Sequence, residues 1–89
     1  MERELLTQIE PLARLLLTPD EIGAILELTE EQVNEFANPF SGVGRLYRRV
    51  LAERARDLHA KTLSLADVGS PTALDEANRY LRLAQNAIE

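Results

Sequence analysis

Two helix-start patterns follow one another in the stretch from Leu17 to Asn38, which reads LTPDEIGAILELTEEQVNEFAN. In each pattern a threonine is followed three residues later by Glu or Gln: Thr18 by Glu21, and Thr29 by Gln32. This spacing is a capping box, in which the threonine hydroxyl and the later side chain each accept a hydrogen bond from a backbone N–H. The stretch therefore predicts two short helices joined by a tight turn, a helix-turn-helix unit over residues 18–38.

The apolar residues of this stretch recur at helical spacing. They are predicted to face inward as follows: Ile22, Ile25 and Leu26 on the first helix, Leu28 in the turn, and Val33, Phe36 and Ala37 on the second. Gly23 stands where the two helices of such a unit approach closely, so a larger side chain would push them apart. Glu27 occupies the turn position where DNA-binding units often have glycine, because glycine adopts a positive φ easily.

The length of 89 residues suits one domain, residues 1–89, and is too short for two. With 45% apolar residues the chain is expected to fold, and without cysteine it has no disulfide framework and no thiolate metal site. The longest run of large apolar side chains is Leu15 to Leu17, and the start Met1 to Glu4 lacks the pattern of a signal peptide. A cytoplasmic protein that does not cross a membrane is expected.

Three further helices are predicted. The first covers residues 2–16 and contains Pro11, so it either bends there or consists of two pieces. The fourth is long, from about Val43 to Val68, and Ser41 is placed to cap its start. Gly69 is expected to end it in a left-handed conformation. Ser70 and Pro71 then start a fifth helix that runs to about Ala87. No segment alternates with period two. The fold class is therefore all-α: a five-helix domain with a helix-turn-helix and a long fourth helix packed by a C-terminal fifth helix.

The apolar faces of these helices follow from a wheel of 100° per residue. The first helix carries Leu5, Leu6, Ile9, Leu12, Leu15 and Leu16; the fourth is predicted to bury Val43, Tyr47, Val50, Leu51, Leu58 and Leu65; the fifth carries Leu74, Ala77, Tyr80, Leu81, Ala84 and Ile88 on one side. Arg54 projects into the apolar face of the fourth helix, so its head group must reach water, an acid or another subunit.

Charge is distributed unevenly along the chain. The net charge of −5 argues by itself against nucleic-acid binding. Residues 18–36 contain six acidic residues and no basic one, whereas residues 43–63 contain six basic residues and two acidic ones. Arg45, Arg49 and Arg56 cluster opposite the predicted buried face of the fourth helix, with Arg48 toward the side. This basic stripe is a candidate phosphate-binding surface, and the alternative is an ordinary solvated helix face with i,i+4 ion pairs.

Catalytic patterns are missing from the sequence. His59 has no Cys and no second His beside it, which disfavours a metal site or a histidine-based catalytic device. The glycines at Gly42 and Gly44 lack the preceding strand and the following lysine of a phosphate loop. A protein that is not an enzyme and binds no cofactor or metal is expected.

Several short motifs resemble one protein family. The start LTPDEIGAIL (Leu17 to Leu26), the YRR that opens the long helix (Tyr47 to Arg49) and the GSPTA after it (Gly69 to Ala73) are similar to the helix-turn-helix domain of small terminase subunits, which take part in DNA packaging by tailed bacteriophages. The resemblance covers roughly Ile9 to the end of the chain.

This resemblance implies a non-catalytic homo-oligomer that forms a ring, binds double-stranded viral DNA and passes it to a large subunit with ATPase and nuclease activity. It places Gln32 and Asn34 on the recognition helix, and Arg45, Arg48 and Arg49 at the start of the long helix. Gln and Asn are side chains that can read adenine edges. Glu30, Glu31 and Glu35 depart from the pattern, because a carboxylate repels phosphate.

Three functions therefore stay open. The first is the packaging component, in which the arginines bind phosphate. The second is a protein-interaction module without DNA binding, in which the acidic face of one copy contacts the basic helix of the next and builds a ring or filament. The third is a transcriptional regulator that reads an operator through Gln32 and Asn34.

Overall fold

The computed structural model describes residues 1–88, and the regular secondary structure in this range is helical, without a strand. The elements are α1 (Arg3–Arg14), α2 (Pro19–Leu26), α3 (Glu30–Asn34), a 3-10 turn (Glu35–Ala37), α4 (Gly42–Asp67) and α5 (Pro71–Ala87). The predicted all-α fold is confirmed, including the long α4 and its packing against α5. The chain divides into two compact units, residues 1–54 and a second unit that begins at Ala55, so the boundary lies inside α4.

The first unit has a core drawn from four elements. Its buried residues are Ile9 and Ala13 of α1, Ile22 of α2, Phe36 of the 3-10 turn, and Val43 and Val50 of α4. Ile9, Ile22, Val43 and Val50 are fully buried, and each such side chain stabilises the fold by roughly 1.5–3 kcal/mol. The helix-turn-helix unit therefore packs against α1 and against the start of α4.

The helix starts form as the sequence predicts. The Thr18 hydroxyl accepts from the Glu21 N–H at 3.2 Å while the Glu21 carboxylate accepts from the Thr18 N–H at 2.9 Å. Thr29 and Gln32 form the same pair of bonds at the start of α3. Each cap contributes about 1 kcal/mol to the free energy of unfolding. Pro19 takes the first position of α2, where the lack of a backbone N–H costs no hydrogen bond within the helix.

The structure decides how α1 accommodates Pro11 and where the helix ends. Pro11 lies inside one continuous α-helix, so the alternative of two separate pieces is wrong. The helix ends at Arg14, and not at residue 16. Leu15 and Leu16 lie in the turn that follows and are 71% and 47% exposed, and Leu16 adopts a left-handed φ of 63°. The apolar spacing continued past the helix end because the turn itself consists of leucines.

The buried face of α2 is rotated relative to the prediction. Ile25 is 57% exposed, whereas Ile22 and Gly23 are buried. Gly23 allows a close approach on its own side of the helix, so the contact face consists of residues 22, 23 and 26. Ile25 lies about 110° around the helix from the centre of this face. In the second helix Phe36 is buried and Ala37 is exposed.

The second unit is a helical hairpin made by the C-terminal part of α4 and by α5. Gly69 has a φ of 94° and ends α4, while the Ser70 N–H donates to the Leu65 carbonyl at 3.1 Å, as in a Schellman cap. The Ser70 hydroxyl accepts from the Ala73 N–H at 3.4 Å and starts α5. The hairpin contacts are small or aromatic: Ala66 and Ala73 are buried, and the His59 and Tyr80 rings stack at 3.7 Å.

The predicted burial of Leu58 and Leu65 is wrong. Their side chains are 41% and 55% exposed. Each helix of a two-helix hairpin has a single neighbour, so one helix covers only part of the apolar surface of the other.

Candidate nucleic-acid interface

The turn between α2 and α3 has the conformation of a helix-turn-helix although it contains no glycine. Glu27 adopts φ 54° and ψ 46°, the left-handed region, and its N–H and that of Leu28 both donate to the Gly23 carbonyl. A glutamate in this conformation costs roughly 1–2 kcal/mol. Glutamate in place of glycine at position 27 therefore lowers the stability of the turn but leaves its backbone conformation unchanged.

Gly23 is the point of closest approach between the two helices. A Cβ atom built on Gly23 would lie 2.5 Å from Cγ2 of Val33. Such a distance is too short for two carbon atoms, so the predicted reason for a small residue here agrees with the packing. The contact fixes the position of α3 on α2.

Gln32 and Asn34 differ in how much of the side-chain amide is available for hydrogen bonds with a ligand. The Gln32 amide oxygen accepts the Thr29 N–H at 2.9 Å and the residue is half-buried, so its carbonyl group is committed to the cap. Asn34 is exposed and lines a shallow cleft shared with Asp20. Of the two predicted base-reading residues, only Asn34 has its whole amide available.

Arg48 closes the C-terminal end of the helix-turn-helix unit. Its guanidinium donates to the carbonyl oxygens of Phe36 at 2.8 Å, Ala37 at 3.2 Å and Gly44 at 3.2 Å. A cation at the Phe36 and Ala37 carbonyls also complements the negative end of the preceding helical segment. Arg48 was predicted as a DNA contact, and the structure gives it a positioning role that joins the 3-10 turn to α4.

Ser41 supports the same junction. Its hydroxyl donates toward the carbonyl oxygens of Glu35 at 2.8 Å and Asn38 at 3.0 Å, and it accepts the Gly44 N–H at 3.0 Å. The predicted capping role is confirmed, and the side chain additionally joins the 3-10 turn to the start of α4.

Arg49 belongs to an ion-pair cluster that sequence spacing did not reveal. Glu10 of α1 accepts from Arg49 at 3.4 Å and from Arg14 at 3.1 Å, and Arg14 also donates to Glu53 at 3.1 Å. The hydrogen bond to Glu10, together with the charge of Glu53, raises the pKa of Arg14. The Arg49 side chain is 61% exposed and its contact is long, so the guanidinium can exchange Glu10 for another anion.

Arg45 is the basic residue of this surface with a free head group. It is exposed and forms no ion pair and no side-chain hydrogen bond with other residues in the range 1–88. Because Arg45, Arg48 and Arg49 are spaced i, i+3 and i+4, they lie together on one surface of α4. Arg56 belongs to the second unit, is 71% exposed and pairs with Asp57 at 3.2 Å.

Three acidic residues lie on α3 and on the 3-10 turn that follows it. Glu30 and Glu31 are exposed in the first turn of α3, where the helix dipole favours negative charge, and Glu35 is half-buried. None of the three forms an ion pair within the described part of the chain. The candidate DNA contacts Arg45 and Arg49 on α4 are thus accompanied by a negatively charged start of α3.

Arg54 has an unusual environment. Its Nε atom is buried and has no hydrogen-bond partner among residues 1–88, and its guanidinium forms no ion pair there. The sequence predicted that this head group would need water, an acid or another subunit, and the structure supplies no acid.

Tyr47 connects α4 to the turn before α2. Its hydroxyl donates to the Leu17 carbonyl at 2.8 Å, and its ring packs edge-on against Phe36 with 5.3 Å between the ring centroids. Burial raises the pKa of the Tyr47 hydroxyl, and the nearby Glu21 carboxylate raises it further. Tyr47 thus packs against the core from the predicted face of α4 and is half-buried.

Replacing Tyr47 by phenylalanine should lower the free energy of unfolding by about 1 kcal/mol at neutral pH, since one hydrogen bond is lost. The folded state holds the Tyr47 proton more tightly than the unfolded state does. The parent therefore loses stability as the pH rises above the unfolded pKa of about 10, and the difference from Tyr47→Phe should shrink there. Urea unfolding at neutral and alkaline pH measures both effects. Tyr80→Phe is the control, because the Tyr80 hydroxyl has no hydrogen-bond partner in the described residues; equal losses in the two variants would contradict the prediction.

No metal-binding group of three or more His, Cys, Asp or Glu residues occurs in the described residues. None of the helices over residues 1–88 has both the length and the apolar character that a membrane crossing requires. Compared with family models, curated proteins and solved structures, the chain matches none of them.

Proposed function

We propose that this chain is a non-catalytic, homo-oligomeric DNA-binding protein of phage genome packaging, with the role that small terminase subunits have. In this role it binds double-stranded DNA in the host cytoplasm and delivers it to the large terminase subunit. The proposal combines the motif resemblance with the geometry of the first unit.

The observation that carries the proposal is the construction of the helix-turn-helix unit. α2 and α3 touch at Gly23 and Val33, Glu27 adopts the left-handed turn conformation, and Arg48 fastens the end of the recognition helix to α4. The Gly23–Val33 contact and the Arg48 hydrogen bonds thus stabilise one relative position of these helices and offset the backbone strain at Glu27. A fixed pair of helices of this kind is the usual element that enters a DNA groove.

The DNA contacts divide between two kinds of side chain. We assign Arg45 and Arg49 to phosphate contacts, because Arg45 has no protein partner in the described range and Arg49 is mostly exposed. Asn34 is the side chain that we assign to a base edge. Arg48 keeps its three carbonyl partners and acts by positioning the recognition helix. Phosphate contacts fix register, and one amide gives little sequence discrimination.

Binding by a single copy should be weak. Residues 1–54 contain six basic and ten acidic side chains, so the unit as a whole repels DNA. Two phosphate contacts per copy offset this only when several copies act together, since linked sites raise the effective concentration of one another. The proposal therefore includes a homo-oligomer.

Fluorescence anisotropy of labelled duplex DNA from low to physiological salt tests the proposal. Affinity should fall with salt with a log–log slope of about −2 for each engaged copy, from two phosphate contacts. Arg45→Ala should reduce this slope by about 1 for each copy and weaken binding several-fold at low salt. Unrelated duplex sequences should bind nearly equally.

Arg3→Ala is the matched control, because it removes the same charge from the first unit, from an exposed position outside this surface. If Arg45→Ala and Arg3→Ala lost the same DNA affinity, net charge alone would explain the loss, and the assigned contact between Arg45 and phosphate would be wrong. A strong preference for one operator-like duplex would favour the transcriptional regulator, in which Gln32 would have to give up its cap.

A protein-interaction module without DNA binding is the second candidate. Arg48, Arg49 and Arg56 all have protein partners, and the second unit exposes many large apolar side chains. Self-association together with no anisotropy change at low salt would establish this candidate in place of the first.

A further inference from the structure

Glu10 of α1 is shared by two arginines that belong to different helices. Its Oε1 atom accepts from Arg14 of the same helix at 3.1 Å and from Arg49 of α4 at 3.4 Å. Arg14 also donates to Glu53 of α4 at 3.1 Å. Glu53, Arg14, Glu10 and Arg49 thus form a chain of alternating charges inside the first unit. Arg49 stands at its end and has no second carboxylate partner in the described residues.

The contact between Arg49 and Glu10 is the weakest of the three. It is the longest, and the side chain of Arg49 is 61% exposed, compared with 43% for Arg14 and 31% for Glu53. Exposed ion pairs hold their partners loosely, because water and salt screen the charges and because both side chains lose rotamer freedom in the pair. Arg49 can therefore leave Glu10 at a small cost in free energy.

The packing of α1 against α4 does not depend on this contact. Buried side chains of both helices belong to one core: Ile9 and Ala13 on α1, and Val43 and Val50 on α4. The pair of Arg14 and Glu53 joins the same two helices. When Arg49 turns away, Glu10 keeps Arg14, which stands one turn later on its own helix, so the carboxylate stays compensated. The fold thus leaves Arg49 free to change its partner.

A DNA phosphate and the Glu10 carboxylate compete for the same donors on Arg49. Both groups are anions whose oxygens accept charge-assisted hydrogen bonds from a guanidinium. Arg45 stands one turn before Arg49 on the same face of α4 and has no partner in the described range. A duplex that engages Arg45 therefore brings its phosphates close to a guanidinium that Glu10 occupies. Contact with Arg49 requires the Glu10 carboxylate to give way.

We propose that Glu10 is an internal competitor of DNA: its carboxylate occupies Arg49 in the free protein and lowers DNA affinity. Arg14 acts as a positioning residue, because it holds Glu10 on α1 when a phosphate takes over Arg49. This inference rests on the proposed function and adds an autoinhibitory contact to its DNA-binding surface.

Fluorescence anisotropy with a labelled duplex at low salt tests the competition. Glu10→Gln keeps the size of the side chain and removes its charge, so it should bind DNA about two- to fivefold more tightly than the parent for each engaged copy. This ratio should shrink as the salt concentration rises, because salt already screens the exposed pair in the parent. Glu4→Gln is the matched control. It removes the same charge from an exposed position of the same helix, where Glu4 forms no ion pair within residues 1–88, and its gain should be clearly smaller.

An Arg49→Ala background separates competition from a general effect of charge. If Glu10 acts through Arg49, the double variant Glu10→Gln/Arg49→Ala should bind DNA as weakly as Arg49→Ala alone. An equal gain from Glu10→Gln with and without Arg49 would overturn the proposal, and so would equal gains from Glu10→Gln and Glu4→Gln. Circular dichroism verifies that all variants keep the helix content of the parent.

The contact itself is measured without DNA. The NMR signal of the Arg49 Nε–Hε group should shift in Glu10→Gln and stay in place in Glu4→Gln. An unchanged signal in Glu10→Gln would overturn the proposal whatever the anisotropy shows. If the parent binds DNA and Glu10→Gln gains no more than its control, the competition alone is wrong and the proposed function stands. If neither the parent nor Glu10→Gln binds the duplex at low salt, the proposed function is wrong and the competition with it.

Discussion

Replacing Gly44 by alanine should lower the free energy of unfolding by about 3 kcal/mol, near the upper end of what overfilled sites cost. A Cβ atom at Gly44 would overlap the carbonyl oxygen of Asn38 and would lie 2.9 Å from the Ser41 hydroxyl oxygen. The carbonyl belongs to the backbone, so relief requires a shift of the whole turn. That shift would also strain the bonds that Ser41 makes to Glu35 and Asn38. Chemical denaturation of the full chain measures the loss.

The control for Gly44→Ala is Gly42→Ala, two residues earlier in the same helix. There the added Cβ meets only Cδ1 of Leu6, at 3.9 Å, which is an ordinary contact. Because alanine favours the helix over glycine, Gly42→Ala should leave stability unchanged or raise it by up to about 1 kcal/mol. If Gly44→Ala behaved in the same way, the close approach of the 38–41 turn to α4 would be wrong.

The sequence predicted best the features that depend on neighbouring residues. Both capping boxes, the left-handed Gly69 and the Ser70 cap form as expected, because each needs only residues a few positions apart. The existence of five helices and the long α4 followed from the same signals. Helix ends were less secure: Leu15 continues the apolar pattern of α1 although the helix ends at Arg14.

Burial was predicted less well, because it depends on what lies opposite each face. Ile25 has the same chemistry as Ile22, and only the close contact at Gly23 decides which of the two is buried. Leu58 and Leu65 were assigned to a core that the hairpin does not provide. An apolar stripe in a sequence shows that a partner is needed, and it does not tell whether the partner belongs to the same chain.

The arginines show the limit of a helical wheel. The wheel clustered Arg45, Arg49 and Arg56, with Arg48 toward the side, and all four were candidates for DNA contacts. In the structure Arg48 binds carbonyl groups of the 3-10 turn, Arg49 reaches Glu10 of α1, and Arg45 has no partner in the described range. These differences come from segments far away in the sequence, so no local pattern could have found them.

Replacing Gly23 by leucine should also lower the free energy of unfolding by about 3 kcal/mol. The first added carbon would already lie 2.5 Å from Cγ2 of Val33, and leucine brings three more carbons into the same space. Val33 cannot turn away easily, because a β-branched side chain on a helix has one strongly preferred rotamer. The helices must therefore separate, which also opens the buried contacts around Ile22 and Phe36.

Ala24→Leu separates this steric effect from a general effect of adding leucine to α2. Ala24 is the next residue and is exposed, so the free energy of unfolding of Ala24→Leu should lie within about 0.5 kcal/mol of that of the parent. A second test combines Gly23→Ala with Val33→Ala, which removes the methyl groups that the new Cβ meets. The double variant should then be more stable than the sum of the two single losses predicts, by about 1 kcal/mol or more. Two results would contradict the contact between α2 and α3: strict additivity of the two single losses, or a Gly23→Leu variant as stable as the parent. In either case the helix-turn-helix arrangement would be wrong, and the DNA-binding proposal that rests on it would fall.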